Sequence, residues 1–214
     1  MPSTYTPATA WSALVEGNRR FVAGAMEHPS QGVDHRTELS AAQSPFAVVF
    51  GCSDSRVAAE IIFDRGLGEV FVVRTAGHVV DTTVLGSIEY GVEVLGASLV
   101  VVLGHDSCGA VTAAAEALRT GVMPTGFVRA IVDRVIPSIV SQTSADHSNG
   151  TNLAVPSADT LGREHLRHTV DMLLSYSAAL STAVAEGRCA VVGVEYTLAQ
   201  GEARAVDVRG AVDA

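Results

Sequence analysis

No apolar run in this chain reaches the roughly 18 residues that a membrane helix needs; the longest are strand-length. Residues Met1 to Ala10 carry Pro2 and Pro7 and no basic start followed by an apolar stretch, so they do not read as a secretory signal. Cysteine is scarce. Three in 214 residues, an odd number thinly spread, do not make a disulfide framework. These absences predict a cytoplasmic chain whose thiols stay reduced and are free to bind metal. Basic residues are also short, with 14 Lys and Arg against 23 Asp and Glu and a formal charge of −9. A nucleic-acid partner wants clustered Lys and Arg, so none is expected, and the acidic balance reads as solubility. Aromatic residues make up only 5%, which leaves Val, Ala, Leu and Ile to build the core.

What is present is strongly apolar. A hydrophobic fraction of 48% and a mean hydropathy of +0.30 exclude disorder and predict a large buried core. No linker or internal repeat divides the chain, so residues 1–214 read as one domain, with 1–45 a helical arm and 46–214 an α/β core. In the arm, Trp11, Leu14, Val15, Phe21 and Val22 recur at helical spacing within Ala8–Ala25. Asp34-His35-Arg36 begins a short helical piece that ends before Pro45. Strands are predicted at Phe46–Phe50, Val70–Val73, Ser98–Leu103, Cys189–Thr197 and Ala203–Val208, with a turn at Gln200-Gly201-Glu202 joining the last two. Helices are predicted at Ala58–Asp64, Thr82–Leu95, Ala110–Arg119, Phe127–Val140 (bent or ended by Pro137) and Leu161–Glu186. The polar stretch Ser141–Thr160 reads as a surface loop. Strands alternating with helices predict a mainly parallel central sheet flanked by helices, with an antiparallel C-terminal edge.

Two short segments carry the chemistry. Cys52-Ser53-Asp54-Ser55-Arg56 follows the apolar run Phe46-Ala47-Val48-Val49-Phe50. His105-Asp106-Ser107-Cys108-Gly109 follows Leu99-Val100-Val101-Val102-Leu103. Both therefore sit on loops at the carboxyl ends of buried parallel strands, the edge where open α/β sheets form ligand sites. Two thiols and one imidazole make three protein ligands, the number that a catalytic zinc uses while keeping one position open. A lone cysteine is more often a small buried hydrophobe, but Cys52 and Cys108 lie among Ser, Asp, Gly, His and Arg, poor company for a core thiol. Cys189, beside Ala190-Val191-Val192-Gly193-Val194, reads as core. His28, His35, His147, His165 and His168 have no ligand partner at useful spacing and read as surface or capping groups, while His78 could neighbour a pocket.

Asp54 and Arg56 are two apart and converge only on an irregular or extended loop. They read either as a surface ion pair worth about 0–1 kcal/mol, or as a pair in which Arg56 holds Asp54 beside the metal. In the second reading the carboxylate accepts a hydrogen bond from zinc-bound hydroxide, or replaces it as fourth ligand. The residues alone leave both open.

Together the two segments resemble the β-class carbonic anhydrases. The resemblance extends to Glu16-Gly17-Asn18-Arg19-Arg20-Phe21, to Val72-Val73-Arg74-Thr75-Ala76-Gly77, to Gly86-Ser87-Ile88-Glu89-Tyr90 and to the strand Val191–Tyr196. It covers most of Trp11 to Ala114, and the pattern is most similar to actinobacterial members. It implies reversible hydration of CO2 to bicarbonate and a proton, with one Zn2+ per chain on Cys52, His105 and Cys108 and a catalytic Asp54–Arg56 dyad. It further implies that Gln43 hydrogen-bonds substrate and that Phe71 and Tyr90 line the pocket across a subunit interface. The backbone around Gly109 is a second candidate donor to substrate. The N-terminal helix is then expected to project and reach a partner, in a homodimer or homotetramer. One family branch, inhibited by bicarbonate, places a tryptophan three residues before the first Cys; here Val49 stands there, which with Gln43 indicates the plant-like branch. Thr75-Ala76-Gly77 departs from the Asn and bulkier residue of many members.

Three other readings use the same residues: a CS2 or COS hydrolase, a non-catalytic zinc-binding bicarbonate sensor, and a thiol redox protein using Cys52 and Cys108. The intact Asp54, Arg56 and Gln43 count against the sensor, and the lack of a Cys-x-x-Cys counts against the redox protein.

Overall fold

The computed structural model describes residues 5–143 and 157–212. Its strands are β1 (Ala47–Cys52), β2 (Val70–Thr75), β3 (Leu99–His105), β4 (Ala190–Tyr196) and β5 (Ala203–Arg209). Its helices are α1 (Pro7–Val22), α2 (Val33–Glu38), α3 (Ala59–Ile62), α4 (Thr82–Glu89), α5 (Gly109–Thr120), α6 (Val128–Thr143), α7 (Ala158–Tyr176) and α8 (Ala178–Ala185). The strands form one sheet in the order β2-β1-β3-β4-β5, parallel throughout except for the antiparallel β4–β5 edge. This is the predicted architecture. Among the described residues no helix is long and apolar enough to cross a membrane.

β1 and β3 are buried along their whole length, as central parallel strands covered on both faces must be. Successive side chains alternate between two cores. Val49, Val101 and Val192 meet Ala10, Trp11 and Leu14 of α1 and Ile62 of α3. Val48, Phe50 and Val100 meet Ile88 of α4, Leu166, Val170 and Leu173 of α7, and Leu180 of α8. A third cluster joins α5, α6 and the start of α7 through Val111, Ala114, Val132, Val135 and Leu161, and reaches the sulfurs of Cys52 and Cys108.

The N-terminal helix corrects one expectation. It does not project; it lies on the sheet of its own chain. Gly17 packs so closely on the end of α3 that a Cβ there would stand 1.8 Å from the Phe63 carbonyl oxygen. Buried Asn18 completes the joint. Its Nδ2 donates to the carbonyls of Ile62 (3.1 Å) and Gly201 (2.8 Å), and its Oδ1 accepts from the Ala203 amide (2.9 Å). One side chain thus ties α1 to α3 and to the β4–β5 hairpin.

Two predicted helices end differently. The Thr82–Leu95 helix is α-helical only to Glu89 and finishes in a wider π turn over Tyr90–Val94. There Gly91 approaches β1 so closely that a Cβ would meet Val48 Cγ2 at 2.4 Å. The Leu161–Glu186 helix is two helices, broken at Ser177, whose backbone is extended (φ −102°, ψ 101°). The Ser177 hydroxyl accepts from the Leu180 amide (3.0 Å) as the cap of α8 and donates to Glu89 Oε1 (2.6 Å). Serine caps satisfy backbone donors that a continuing helix would have paired itself.

The predicted loop Ser141–Thr160 is shorter at both ends, because α6 runs through Pro137 to Thr143 and α7 starts at Ala158. Its middle, with His147, lies outside the described residues.

Candidate metal centre and catalytic pair

The register of the sheet brings the two chemical segments together. β1 and β3 are adjacent and parallel, with Gly51 opposite Leu103, so the loops that follow them leave the same sheet edge side by side. One sulfur each from Cys52 and Cys108 and a ring nitrogen of His105 lie within 4.8 Å of one another, all three residues being buried. Ser107 makes the second loop turn tightly, with a left-handed φ of 52°. Asp106 pins that loop to the end of β4: its amide donates to the Tyr196 carbonyl (3.2 Å) and its Oδ1 accepts from the Leu198 amide (3.0 Å). Cys108 is the N-cap residue of α5, which sets its sulfur near the positive end of the helix dipole.

The donor chemistry fits a soft divalent cation. His105 Nδ1 lies 2.7 Å from the Asp106 carbonyl, which can only accept, so the ring proton sits on Nδ1. Nε2 is then a bare lone pair, buried and without a hydrogen-bond partner. This is the arrangement of a metal-binding histidine, whose other nitrogen donates to a carbonyl. The sulfurs lean the same way. Hydrogen bonding with Cys108 pulls the Cys52 thiol well below its ordinary range against the effect of burial, and the same pairing pushes Cys108 up. Two adjacent buried thiols hold one negative charge easily and two only beside a cation. Zinc is such a cation, and thiolate with imidazole is its usual donor set.

Asp54 and Arg56 meet on the irregular loop after β1. Asp54 Oδ1 accepts from Arg56 Nε (2.9 Å) and from the Arg56 amide (2.9 Å), and Oδ2 accepts from Nη2 (2.7 Å). These bonds hold the Asp54 carboxyl well below the usual carboxylate range. Both its oxygens are engaged, and among the described residues Asp54 stands outside the three-residue donor group.

Three residues that sequence reasoning passed over support this edge. Arg74, on edge strand β2, donates from Nε to the Cys52 carbonyl (2.9 Å) and from Nη2 to the Asp54 carbonyl (2.7 Å). It stands alone as a charge in an otherwise apolar strand, which was the available signal. The Gly77 amide donates to Cys52 Sγ (3.3 Å) from a one-turn 3-10 segment, Ala76–His78. His165, expected at the surface, is fully buried behind that turn with its Nε2 2.8 Å from the Gly77 carbonyl. His78 is buried too, and Cys189 lies in the core as expected.

Of the remaining candidates, Gln43, Phe71 and Tyr90 are not brought to the donor group within one chain, and Gly109 is. Gln43 precedes β1 and lines an open groove of ≈ 610 Å³ with Arg36, Leu39, Leu67 and Gly68. Cys52 lies at the other end of that strand, about 17 Å from Ala47 at 3.3 Å per residue. Phe71 is paired with Val48 whereas Thr75 is paired with Cys52, a separation of about 13 Å along the strand. Tyr90 is half-exposed beside Phe71, their ring centroids 6.1 Å apart. Gly109, the first residue of α5, is adjacent to Cys108 and exposed.

Comparison with known proteins agrees with this geometry. Residues 47–203 match the carbonic anhydrase family model. "Carbonic anhydrase 2" of Mycobacterium tuberculosis is 55% identical over 203 residues, 95% of this chain and 94% of that protein. The carbonic anhydrase of Mycolicibacterium smegmatis is 54% identical, covering 94% and 93% of the two chains. The solved structure of the Coccomyxa β-carbonic anhydrase in complex with acetazolamide superposes with a TM-score of 0.70 at 25% identity, over 93% of this chain and 88% of that one. With the Cys52, His105 and Cys108 donors on one sheet edge and relatives of actinobacterial origin, the chain belongs to the β-carbonic anhydrase family.

Proposed function

We propose a division of labour for the reaction of this family, CO2 + H2O ⇌ HCO3⁻ + H⁺. Cys52, His105 and Cys108 hold one zinc ion per chain, as two thiolates and a neutral imidazole. When bound there, zinc supplies the Lewis acidity that makes water a nucleophile near neutral pH. Asp54 is the hydrogen-bond acceptor that orients the attacking water, and Arg56 holds that carboxylate ionised and in place. The Gly109 amide, at the start of α5, is a donor for the oxygens of bicarbonate. The observation that carries this reading is the pairing of a three-donor group with a carboxylate locked beside it. A purely structural zinc site closes with a fourth tight ligand.

Gln43, Phe71 and Tyr90 belong to the pocket in this proposal, as a polar donor and two apolar walls suited to a small uncharged substrate. Lying at the amino end of their own sheet, they serve a site only when a second copy brings them there. The active unit is therefore a homodimer or a homotetramer. Gln43 and Val49 favour the plant-like branch. Residues 1–214 act as one domain. The three cysteines are free thiols, which suits a reducing, cytoplasmic compartment.

Metal analysis paired with a CO2 hydration assay on wild type and Asp54→Asn tests the assignment. One zinc per chain in both, with activity lost only in the variant, is the expected result. Full activity of the variant would remove Asp54 from the mechanism.

A further inference from the structure

Behind the donor group lies a chain of hydrogen bonds that ends on a metal ligand. The Gly77 amide donates to Cys52 Sγ at 3.3 Å. The carbonyl of the same residue lies 2.8 Å from His165 Nε2, and His165 Nδ1 lies 3.0 Å from Ser138 Oγ. Because a carbonyl only accepts, Nε2 carries the ring proton and Nδ1 is left as an acceptor, facing a Ser138 hydroxyl that also donates to the Val135 carbonyl (2.5 Å). Burial pushes the His165 imidazole down to about 4, so the ring is neutral and has one proton to place. The Gly77 carbonyl decides where it goes.

The turn itself has little freedom. Gly77 adopts a left-handed φ of 66°, and a Cβ on it would meet the Ala110 Cβ of α5 at 2.6 Å. Thr75 Oγ1 donates across the turn to the Val79 carbonyl (2.9 Å). His165 is fully buried and packs its ring, tilted by 35°, against buried His78, with centroids 4.4 Å apart. The bond to His165 adds a further anchor to this turn.

We propose that His165 is a positioning residue for the metal centre: donating from Nε2 to the Gly77 carbonyl, it orients the Gly77 peptide so that its amide points at the Cys52 thiolate. The bond lowers the charge density on that sulfur and fixes its direction. Groups one bond beyond the ligands typically change metal affinity by about 10- to 100-fold when removed. The inference rests on the zinc reading above and makes its own prediction about a residue on α7, outside both loops that carry the donors.

The test is zinc affinity, measured by competition with a chelator on folded protein. The absorption of sulfur-to-cobalt charge transfer in the Co2+-substituted protein is the second readout. His165→Phe keeps a ring against His78 and removes the hydrogen bond to Gly77; it is expected to weaken zinc by about 10- to 100-fold and to shift the cobalt band. His165→Gln can still donate to the Gly77 carbonyl and is expected to recover most of the affinity. Val170→Ala, a core truncation on the same helix, is expected to lower stability without changing either readout. A folded His165→Phe with unchanged affinity and band overturns the proposal. So does a Gln variant as weak as Phe, or a Val170→Ala that loses zinc equally. Should His165→Phe not fold, His165→Leu carries the same test, with zinc again weakened by about 10- to 100-fold and the band shifted; no change overturns the proposal. A wild type that binds no zinc would overturn the metal reading itself, a result distinct from all of these.

Discussion

Arg56 grips both oxygens of the Asp54 carboxylate, with Nε 2.9 Å from Oδ1 and Nη2 2.7 Å from Oδ2. Arg56 is half-exposed, so the pair adds little to folding stability; its consequence is direction. A guanidinium fork fixes a carboxylate in plane, which a lysine ammonium cannot do. Arg56→Lys and Arg56→Ala are therefore both expected to keep zinc and fold while lowering kcat, the alanine variant by about 100-fold. Stopped-flow hydration with metal analysis on the same samples checks this. A lysine variant of full activity would show that charge alone suffices.

The ligand charges predict the shape of the pH profile. Two thiolates cancel the charge of a divalent zinc, whereas three imidazoles leave it whole, and a site of three histidines brings bound water to a pKa of roughly 7. Water at this site is acidified less. Activity is expected to rise with pH through and above neutrality, since the deprotonated form is the nucleophile. Asp54 stays ionised throughout, being held below the usual carboxylate range by Arg56, and contributes no limb near neutral pH. A kcat/KM profile already flat at mildly acidic pH would contradict the argument.

Asp64 predicts where the N-terminal region is most easily broken. Its side chain is buried and accepts from Arg20 Nε (2.6 Å) and from the amides of Glu27 and His28 (both 3.0 Å). Burial pushes its carboxyl up, but these bonds outweigh that effect and hold it low. Asp64→Ala leaves three donors unpaired and is expected to lower unfolding stability by about 3 kcal/mol, measured by denaturant titration. Stability from Asp64 is present above the ordinary carboxylate range and is lost as pH falls through its depressed value. An alanine variant within about 0.5 kcal/mol of wild type would show that water replaces the carboxylate.

Much of this was legible in the sequence because the signals were local. Each donor follows an apolar strand directly, and β1 and β3 carry their ligands at the same end because both are parallel. Asp54 and Arg56 converge as an irregular loop allows. What was not legible depended on packing between distant elements. Trp11 and Leu14 mark an apolar face without saying which sheet covers it, and here their own chain does. The break at Ser177 has no Gly or Pro to announce it; it follows from a hydroxyl that finds Glu89 across 88 positions. His165 was misplaced although a cue existed. It lies on the buried face of α7 with Leu161, Leu166, Thr169 and Val170, and a histidine at helical spacing among core residues is a candidate for burial.

That burial yields the last prediction. His165 is fully buried with its pKa down at about 4, against an ordinary 6.5, chiefly because burial disfavours the charged ring. Burial lowers His78 in the same direction. The unfolded chain therefore binds protons that the folded chain refuses. Folding stability from His165 is complete above pH 6.5 and is lost progressively as pH falls toward 4, by roughly 2 kcal/mol at pH 5. His165→Phe removes this dependence, so the stability difference between variant and wild type is expected to shrink by that amount between pH 7.5 and pH 5. Chemical denaturation of both proteins at the two pH values measures the change. Parallel losses in both would mean that the ring takes up its proton at the same pH folded as unfolded, and the hydrogen bond to Gly77 at pH 5 would then have to come from an imidazolium.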